Sequence, residues 1–217
     1  MLKFKWINKN DDVLNILCIG AHSDDIEIGC GGTILRLLKE HDDVDVHWVV
    51  LGSSGQRDRE AVASANRFLS GAKKKNVTVK NFKTSYFPYR GEEIKKVFEG
   101  LKKKTSPDII FTHYRHDLHQ DHRLVSELTW NTFRDHFILE YEIIKYDGDI
   151  GVPNFFVHLE DAICRKKIGI IMDSFSTQRS KDWFTQEAFF SIMRLRGIES
   201  RGVEKYAEAF YCRKIVL

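Results

Sequence analysis

The 217-residue sequence lacks the features that mark several large classes of protein. Its four cysteines, Cys18, Cys30, Cys164 and Cys212, form no Cys-x-x-Cys pair and no regular framework, which excludes a disulfide-stapled fold. No apolar stretch approaches the ~18 residues that cross a bilayer, and residues 1–6 do not begin an apolar signal-peptide region. We therefore expect reduced thiols, three of them in the core, and a cytoplasmic protein without a membrane span.

Neither sign of charge dominates. Lysine and arginine number 34 against 31 aspartate and glutamate, and the two signs are interleaved along the chain. The electrostatic footprint of a nucleic-acid-binding protein is therefore missing, and we expect no nucleic-acid partner. The length suits one well-buried core. We take residues 1–217 as a single domain, in which residues 147–217 form a less regular part that serves the substrate pocket or oligomerisation.

Strand and helix patterns alternate along most of the chain. Apolar, β-branched segments predict strands over residues 13–20, 44–51, 77–79, 107–113, 138–146, 155–159 and 206–217. Apolar residues at helical spacing predict helices over residues 31–40, 59–69, 92–104, 122–133, 160–175 and 183–196. This alternation favours a Rossmann-like, doubly wound α/β fold with a mainly parallel sheet and helices on both faces.

The first predicted strand leads into an acidic loop, His22-Ser23-Asp24-Asp25, which precedes Gly29, Gly31 and Gly32. Loops at the carboxyl ends of parallel strands are common ligand sites. The glycines do not follow the Gly-x-Gly-x-x-Gly order, and adjacent carboxylates repel phosphate, which argues against a nucleotide cofactor. We expect the glycines instead to let a helix start close beneath the loop.

Four of the nine histidines fall within residues 113–122, after the predicted fourth strand. Parallel strands bring this loop to the same sheet edge as residues 22–25. Two histidines and a carboxylate with open positions form a catalytic cation site, suited to Zn²⁺ and also to Fe²⁺, Co²⁺ or Mn²⁺. Of Asp24 and Asp25, one can bind the cation while the other acts as general base. Asp121 can hold an imidazole in the required tautomer.

Together the two motifs resemble those of a known enzyme family. His22-Ser23-Asp24-Asp25 with Glu27 resembles the His-Pro-Asp-Asp-(x)-Glu signature of the PIG-L/LmbE-like N-deacetylases, and His119-Gln120-Asp121-His122 resembles that family's His-x-Asp-His motif. The resemblance covers most of the chain. One departure is Ser23, which stands where the family usually has proline; since that side chain is not a ligand, we expect the site to survive.

The resemblance implies one zinc ion per chain, or Fe²⁺ or Co²⁺, bound by His22, Asp25 and His122. It makes Asp24 the general base that activates water. Protonated His119 then stabilises the oxyanion or protonates the leaving amine, and Asp121 orients its neighbour. The implied reaction hydrolyses the acetamide of an N-acetylglucosamine-type glycoside, sugar nucleotide or related conjugate to acetate and free amine. Family members are often homo-oligomers.

Other polar residues have competing interpretations. Arg57 either contacts substrate or pairs with Asp58 or Glu60, and Asp117 either contacts substrate or supports a site residue. His113 can simply end a strand, and His116 can lie on the surface. In the final third, packing and surface charge outweigh a sugar or diphosphate pocket for four residues, Trp183, Arg194, Arg196 and Arg201.

Two alternative functions stay open at this point. Clusters of histidine and aspartate also serve two-metal phosphoesterases. A non-catalytic sugar-binding relative could keep the same fold. The number of bound ions separates the phosphoesterase from the deacetylase, and turnover separates both enzymes from a binding protein.

Overall fold

A computed structural model describes residues 13–216 of the protein, so the prediction for residues 1–6 lies outside the described part. The strands are β1 (Leu14–His22), β2 (Val44–Gly52), β3 (Lys74–Val79), β4 (Ile109–His113), β5 (Phe137–Tyr141), β6 (Phe155–Leu159) and β7 (Tyr206–Cys212). The α-helices are α1 (Asp25–Glu40), α2 (Gln56–Phe68), α3 (Gly91–Lys104), α4 (Gln120–Thr132), α5 (Asp161–Ser174) and α6 (Gln186–Glu199).

The seven strands form one sheet in the order β3-β2-β1-β4-β5-β7-β6. All neighbouring pairs from β3 to β5 are parallel, while β7 runs antiparallel to β5 and β6. Apolar side chains of β1 alternate between the two faces, with Ile16 and Cys18 in one core and Leu17 and Ile19 in the other. The predicted α/β fold with a mainly parallel sheet is confirmed.

Helices cover both faces of the sheet. The larger core contains side chains of α1, α2, α5 and α6, and the smaller one contains side chains of α3 and α4. In the sheet, β2 and β3 lie on one side of β1, and β4 and β5 lie on the other side. This reversal of strand order opens a crevice at the carboxyl ends of β1 and β4, where ligands bind in open α/β sheets.

The first helix differs from its prediction. It begins at Asp25, six residues before the predicted start, and its three glycines lie inside it. A Cβ at Gly29 would clash with the Tyr141 ring. One at Gly31 would lie 2.7 Å from the Phe68 ring, and one at Gly32 would lie 2.6 Å from Leu159. The prediction that these glycines serve the helix start was therefore wrong. They let neighbouring side chains pack directly on the helix backbone.

Replacing Gly29 by alanine should destabilise the fold by about 1–3 kcal/mol, since overpacking forces buried groups to move. The Tyr141 ring cannot yield easily, because it is fully buried and its hydroxyl donates to the Ile19 carbonyl at 2.7 Å. The matched control is Gly169→Ala in α5, where the added Cβ would meet no atom of residues 13–216 within 4 Å beyond its chain neighbours and the helix's own backbone. That change should stabilise by up to about 1 kcal/mol. Denaturant midpoints of the two variants measure the contrast, and equal midpoints would contradict the packing argument.

The structure shows the surroundings of the four cysteines and of Arg196. Cys18, Cys30 and Cys164 are buried free thiols, as predicted, and Cys212 is partly exposed. Arg196 is buried, where its guanidinium pairs with Glu142 at 2.7 Å, so packing is confirmed for this residue. Several segment ends differ from prediction: β5 ends at Tyr141, β7 ends at Cys212, and α6 covers Gln186–Glu199.

Among residues 13–216, no helix has both the length and the apolar character that crossing a bilayer requires.

Candidate metal centre

Two strand-to-helix junctions meet at the crevice between β1 and β4. At the first, β1 ends at His22 and α1 begins at Asp25. At the second, β4 ends at His113 and α4 begins at Gln120, so that His122 lies in the first turn of α4. The predicted meeting of the two motifs is therefore observed.

Three predicted ligands converge on one point. His22 Nδ1 lies 3.1 Å from His122 Nε2, and Asp25 Oδ2 lies 3.3 Å from the first and 3.5 Å from the second. Three atoms that each lie 2.0–2.2 Å from one tetrahedral ion are separated by about 3.3–3.6 Å. Two imidazoles and a carboxylate are also the donors that zinc and related divalent ions accept. The residues present thus fit a divalent cation.

Asp25 supplies the one carboxylate oxygen of this triangle. Its Oδ2 accepts the N–H of His22 at 2.6 Å and also lies 3.2 Å from His113 Nε2. Burial alone would raise its pKa, but His122, His22 and His113 outweigh burial and hold the pKa of Asp25 well below its usual range. The carboxylate is therefore ionised and available to a cation.

Asp121 orients His22. One oxygen of its carboxylate lies 3.1 Å from His22 Nε2, and the carboxylate also accepts the N–H groups of Ser85 at 2.6 Å and Phe87 at 3.1 Å. The resemblance had assigned it to an adjacent residue, so its partner is corrected to a histidine of the other motif. Although burial lowers the pKa of His22, Asp25 and Asp121 outweigh it and raise the pKa to about 9, so a cation that binds Nδ1 has to displace a proton from it.

His122 is oriented by Asp117. Its Nδ1 lies 2.9 Å from Asp117 Oδ2, which leaves Nε2 facing the triangle. Burial, with His113 adding to it, lowers the pKa of His122 to about 3, so the imidazole is neutral and can act as a ligand. Asp117 itself is buried, and its other oxygen accepts the His119 N–H. Of its two predicted roles, supporting a site residue fits these contacts, while contact with substrate does not.

Asp24 precedes Asp25 and feels the charges of Asp25 and His22, but it does not belong to the triangle. It precedes α1, but its side chain makes no capping hydrogen bond. Its Oδ1 instead accepts from Arg57 Nη2 at 2.9 Å, and its buried Oδ2 has no hydrogen-bond partner among residues 13–216. Burial raises the pKa of Asp24, and the Arg57 guanidinium opposes that rise. Arg57 thus pairs with the predicted base, and neither Asp58 nor Glu60 is its partner.

His119 borders the cluster from the start of α4. Its Nδ1 accepts the Asp121 N–H at 3.2 Å, so its proton is on Nε2. Burial and the neighbouring His22 lower the pKa of His119, which favours the neutral form over the protonated form that we expected. One donor atom from each of His22, His119 and His122 lies within 4.8 Å of the others.

His113 belongs to the site more closely than its sequence indicated. It is fully buried at the end of β4, and its Nε2 accepts the Ala21 N–H at 2.9 Å. Its ring stacks on that of His122, with centroids 3.9 Å apart. Its position at the last residue of a strand was the available signal. His116, by contrast, is exposed on the following loop.

Comparison with known families agrees with this geometry. The sequence model of PIG-L, described as GlcNAc-PI de-N-acetylase, matches residues 17–133. The chain belongs to the PIG-L family. The matched range includes both junctions and every candidate ligand named above.

Relatives of this PIG-L chain include sugar deacetylases. Diacetylchitobiose deacetylase from Thermococcus kodakarensis is 31% identical over 134 residues, which are 56% of this chain and 50% of that protein. The chain thus aligns with about half the length of this curated relative. The N,N'-diacetylchitobiose deacetylase structure from Pyrococcus horikoshii has a TM-score of 0.67 at 25% identity, over 93% of this chain and 84% of that one. A conserved protein from Thermus thermophilus has a TM-score of 0.74 at 22% identity, over 94% and 97%.

Proposed function

We propose that the protein is a metal-dependent deacetylase that hydrolyses the acetamide of an N-acetylated amino sugar to acetate and free amine. The observation that carries this proposal is the triangle of His22 Nδ1, His122 Nε2 and Asp25 Oδ2, with separations of 3.1–3.5 Å. The sugar deacetylases among its relatives support the substrate class. We propose zinc as the cation, with Fe²⁺ or Co²⁺ as alternatives that suit the same donors.

A divalent cation held by His22, Asp25 and His122 would supply a Lewis acid for the acetamide carbonyl and make water easier to deprotonate. Asp24 takes the proton from the attacking water as oxygen bonds to the carbonyl carbon. The Nε2–H of neutral His119 donates to the developing oxyanion. When the carbon–nitrogen bond breaks, Asp24 returns its proton to the nitrogen. His119 is poorly suited to that step, because its Nδ1 already accepts a hydrogen bond.

The contacts of His122 favour one ion over the two that a phosphoesterase would use. Two ions would need two separate groups of ligands. Two other groups of three donor atoms lie close enough together to hold an ion: one is His22, His119 and His122, and the other is Asp25, His113 and His122. Both groups include His122. Since its Nδ1 contacts Asp117, only Nε2 is free to bind an ion. Four carboxylates, Asp24, Asp25, Asp117 and Asp121, also make the crevice unfavourable for a phosphate dianion.

The C-terminal part, residues 147–217, also bears on this site. The Glu60 carboxylate of α2 accepts hydrogen bonds from Ser176 Oγ at 2.7 Å and from the Thr177 N–H at 3.1 Å, fixing the segment after α5 beside the crevice. The charge of Lys181 in that segment lowers the pKa of Asp24. We propose that residues 176–183 form one wall of the substrate pocket. Oligomerisation and a cytoplasmic location stay predictions from the sequence.

Arg57→Met should move the acidic limb of the kcat/KM profile to higher pH. Arg57 stabilises the Asp24 carboxylate and so lowers its pKa; without that cation the pKa rises, and less base is ionised at a given acidic pH. Because Arg57 is partly exposed, solvent weakens the attraction between its charge and the Asp24 carboxylate. Arg57→Lys, which keeps the charge, is the control. A uniform loss at every pH would show that Arg57 does not act through Asp24.

A screen of N-acetylated monosaccharides, disaccharides and sugar nucleotides tests the proposed function, with the new primary amine detected by fluorescence. Diacetylchitobiose is the first substrate to try, given the relatives. Phosphate release from sugar phosphates with two bound ions would favour the phosphoesterase. Sugar binding without any turnover would favour a binding protein.

A further inference from the structure

A buried lysine lies behind the metal centre, on the loop that follows β5. Only 9% of the Lys145 side chain is exposed. Its Nζ donates to Asp117 Oδ2 at 3.1 Å and to Asp149 Oδ1 at 2.6 Å. Nothing in the spacing of the sequence connects this loop with the histidine motifs.

The Asp117 oxygen that accepts from Lys145 is the one that faces His122. Asp117 Oδ2 lies 2.9 Å from His122 Nδ1 and 3.1 Å from Lys145 Nζ, while Oδ1 accepts the His119 N–H at 2.8 Å. Ammonium, carboxylate and imidazole thus form a continuous chain that ends at His122 Nε2. A displacement of Asp117 would therefore turn the imidazole away from the triangle.

The charges around Lys145 explain why Asp117 needs this contact. Asp149 is a second carboxylate, and its Oδ2 accepts the Leu118 N–H at 2.7 Å. Lys145 lies between the two carboxylates, both less than a tenth exposed. Among residues 13–216, no lysine or arginine other than Lys145 forms an ion pair with the Asp117 carboxylate. Without its charge, the two buried carboxylates would repel each other across the space that it fills.

We propose that Lys145 is a positioning residue for the metal centre, which holds the Asp117 carboxylate in line with His122 Nδ1 and thereby sets the affinity of the site for its cation. The inference rests on the proposed function in that it assumes a cation at the triangle. Side chains that orient a histidine ligand typically change metal affinity about 10–100-fold when they are lost. Lys145 acts one contact farther out, through Asp117.

The experiment compares Lys145→Met with Lys145→Arg by competition for Zn²⁺ between metal-free protein and a chromophoric chelator. We expect Lys145→Met to lose at least about tenfold in affinity, and Lys145→Arg, which keeps the cation, to stay within about threefold. Lys166→Met, on an exposed position of α5, is the control. Unfolding temperatures of the metal-free variants are measured in parallel. At saturating Zn²⁺, KM for the sugar should be unchanged in Lys145→Met.

The possible results distinguish a failure of this inference from a failure of the proposed function. Wild-type affinity in a folded Lys145→Met variant overturns the inference alone, and so does an equal loss in both variants, because packing would then be the cause. Failure of the wild-type protein to bind Zn²⁺ overturns the proposed function and this inference with it. If Lys145→Met does not fold, Lys145→Gln, which keeps a donor without the charge, takes its place with the same expected loss.

Discussion

Asp24→Asn should lower kcat about 10²–10⁴-fold while the cation stays bound, because general-base catalysis contributes a factor of that size. The amide cannot accept a proton from water, yet it keeps the shape of the carboxylate and can still contact Arg57. Asp24 lies outside the triangle of His22, Asp25 and His122, so metal affinity should change little.

Three measurements test this prediction for Asp24: kcat on the acetylated sugar, metal content per chain and the unfolding midpoint. The midpoint should not fall, since the variant removes a buried charge that is only partly compensated. Full activity in Asp24→Asn would remove Asp24 from the mechanism. Loss of the metal would instead make Asp24 a ligand.

The second large effect is a contrast between two histidines of one motif. His122→Ala removes a ligand, and we expect metal affinity to fall by more than the roughly 100-fold that the loss of a supporting side chain costs, with activity lost in parallel. His119→Ala removes a hydrogen-bond donor to the oxyanion, and kcat should fall about 10²–10³-fold with the metal retained. Each variant is the control for the other.

Metal affinity and kcat at saturating metal are measured for both variants. Excess metal should not restore His119→Ala, because that variant already binds its cation. If both variants lost metal equally, His119 would be a fourth ligand and not a donor to the reaction. If neither lost metal, the triangle would not be the cation site.

The sheet could be predicted because its strands carry the signal themselves. Residues 155–159 were predicted with the bounds that β6 has. The end of β2 differs from its prediction by one residue, since its mostly buried run of valines leaves little choice. The start of α1 could not be predicted. Gly29, Gly31 and Gly32 suggest a break when they are read locally, and only the distant Tyr141, Phe68 and Leu159, which pack on them, make the helix continuous.

In the site, residue types were predictable while their pairing was not. Parallel strands bring residues 22–25 and 119–122 to one edge whatever the details, so the meeting of the two motifs followed from topology. The partners of the carboxylates depend on side-chain directions at that edge. Asp121 therefore contacts His22 across the site, and Asp117 joins His122 to Lys145, a residue on a loop with no recognisable motif.

Metal-dependent deacetylation is tested by the rate of amine release from diacetylchitobiose by wild-type protein, with a chelator and after Zn²⁺ is added back. Chelation should abolish release, one equivalent of Zn²⁺ per chain should restore it, and Asp24→Asn carrying the same Zn²⁺ should stay inactive. Release that continued unchanged in metal-free protein would contradict metal-dependent deacetylation.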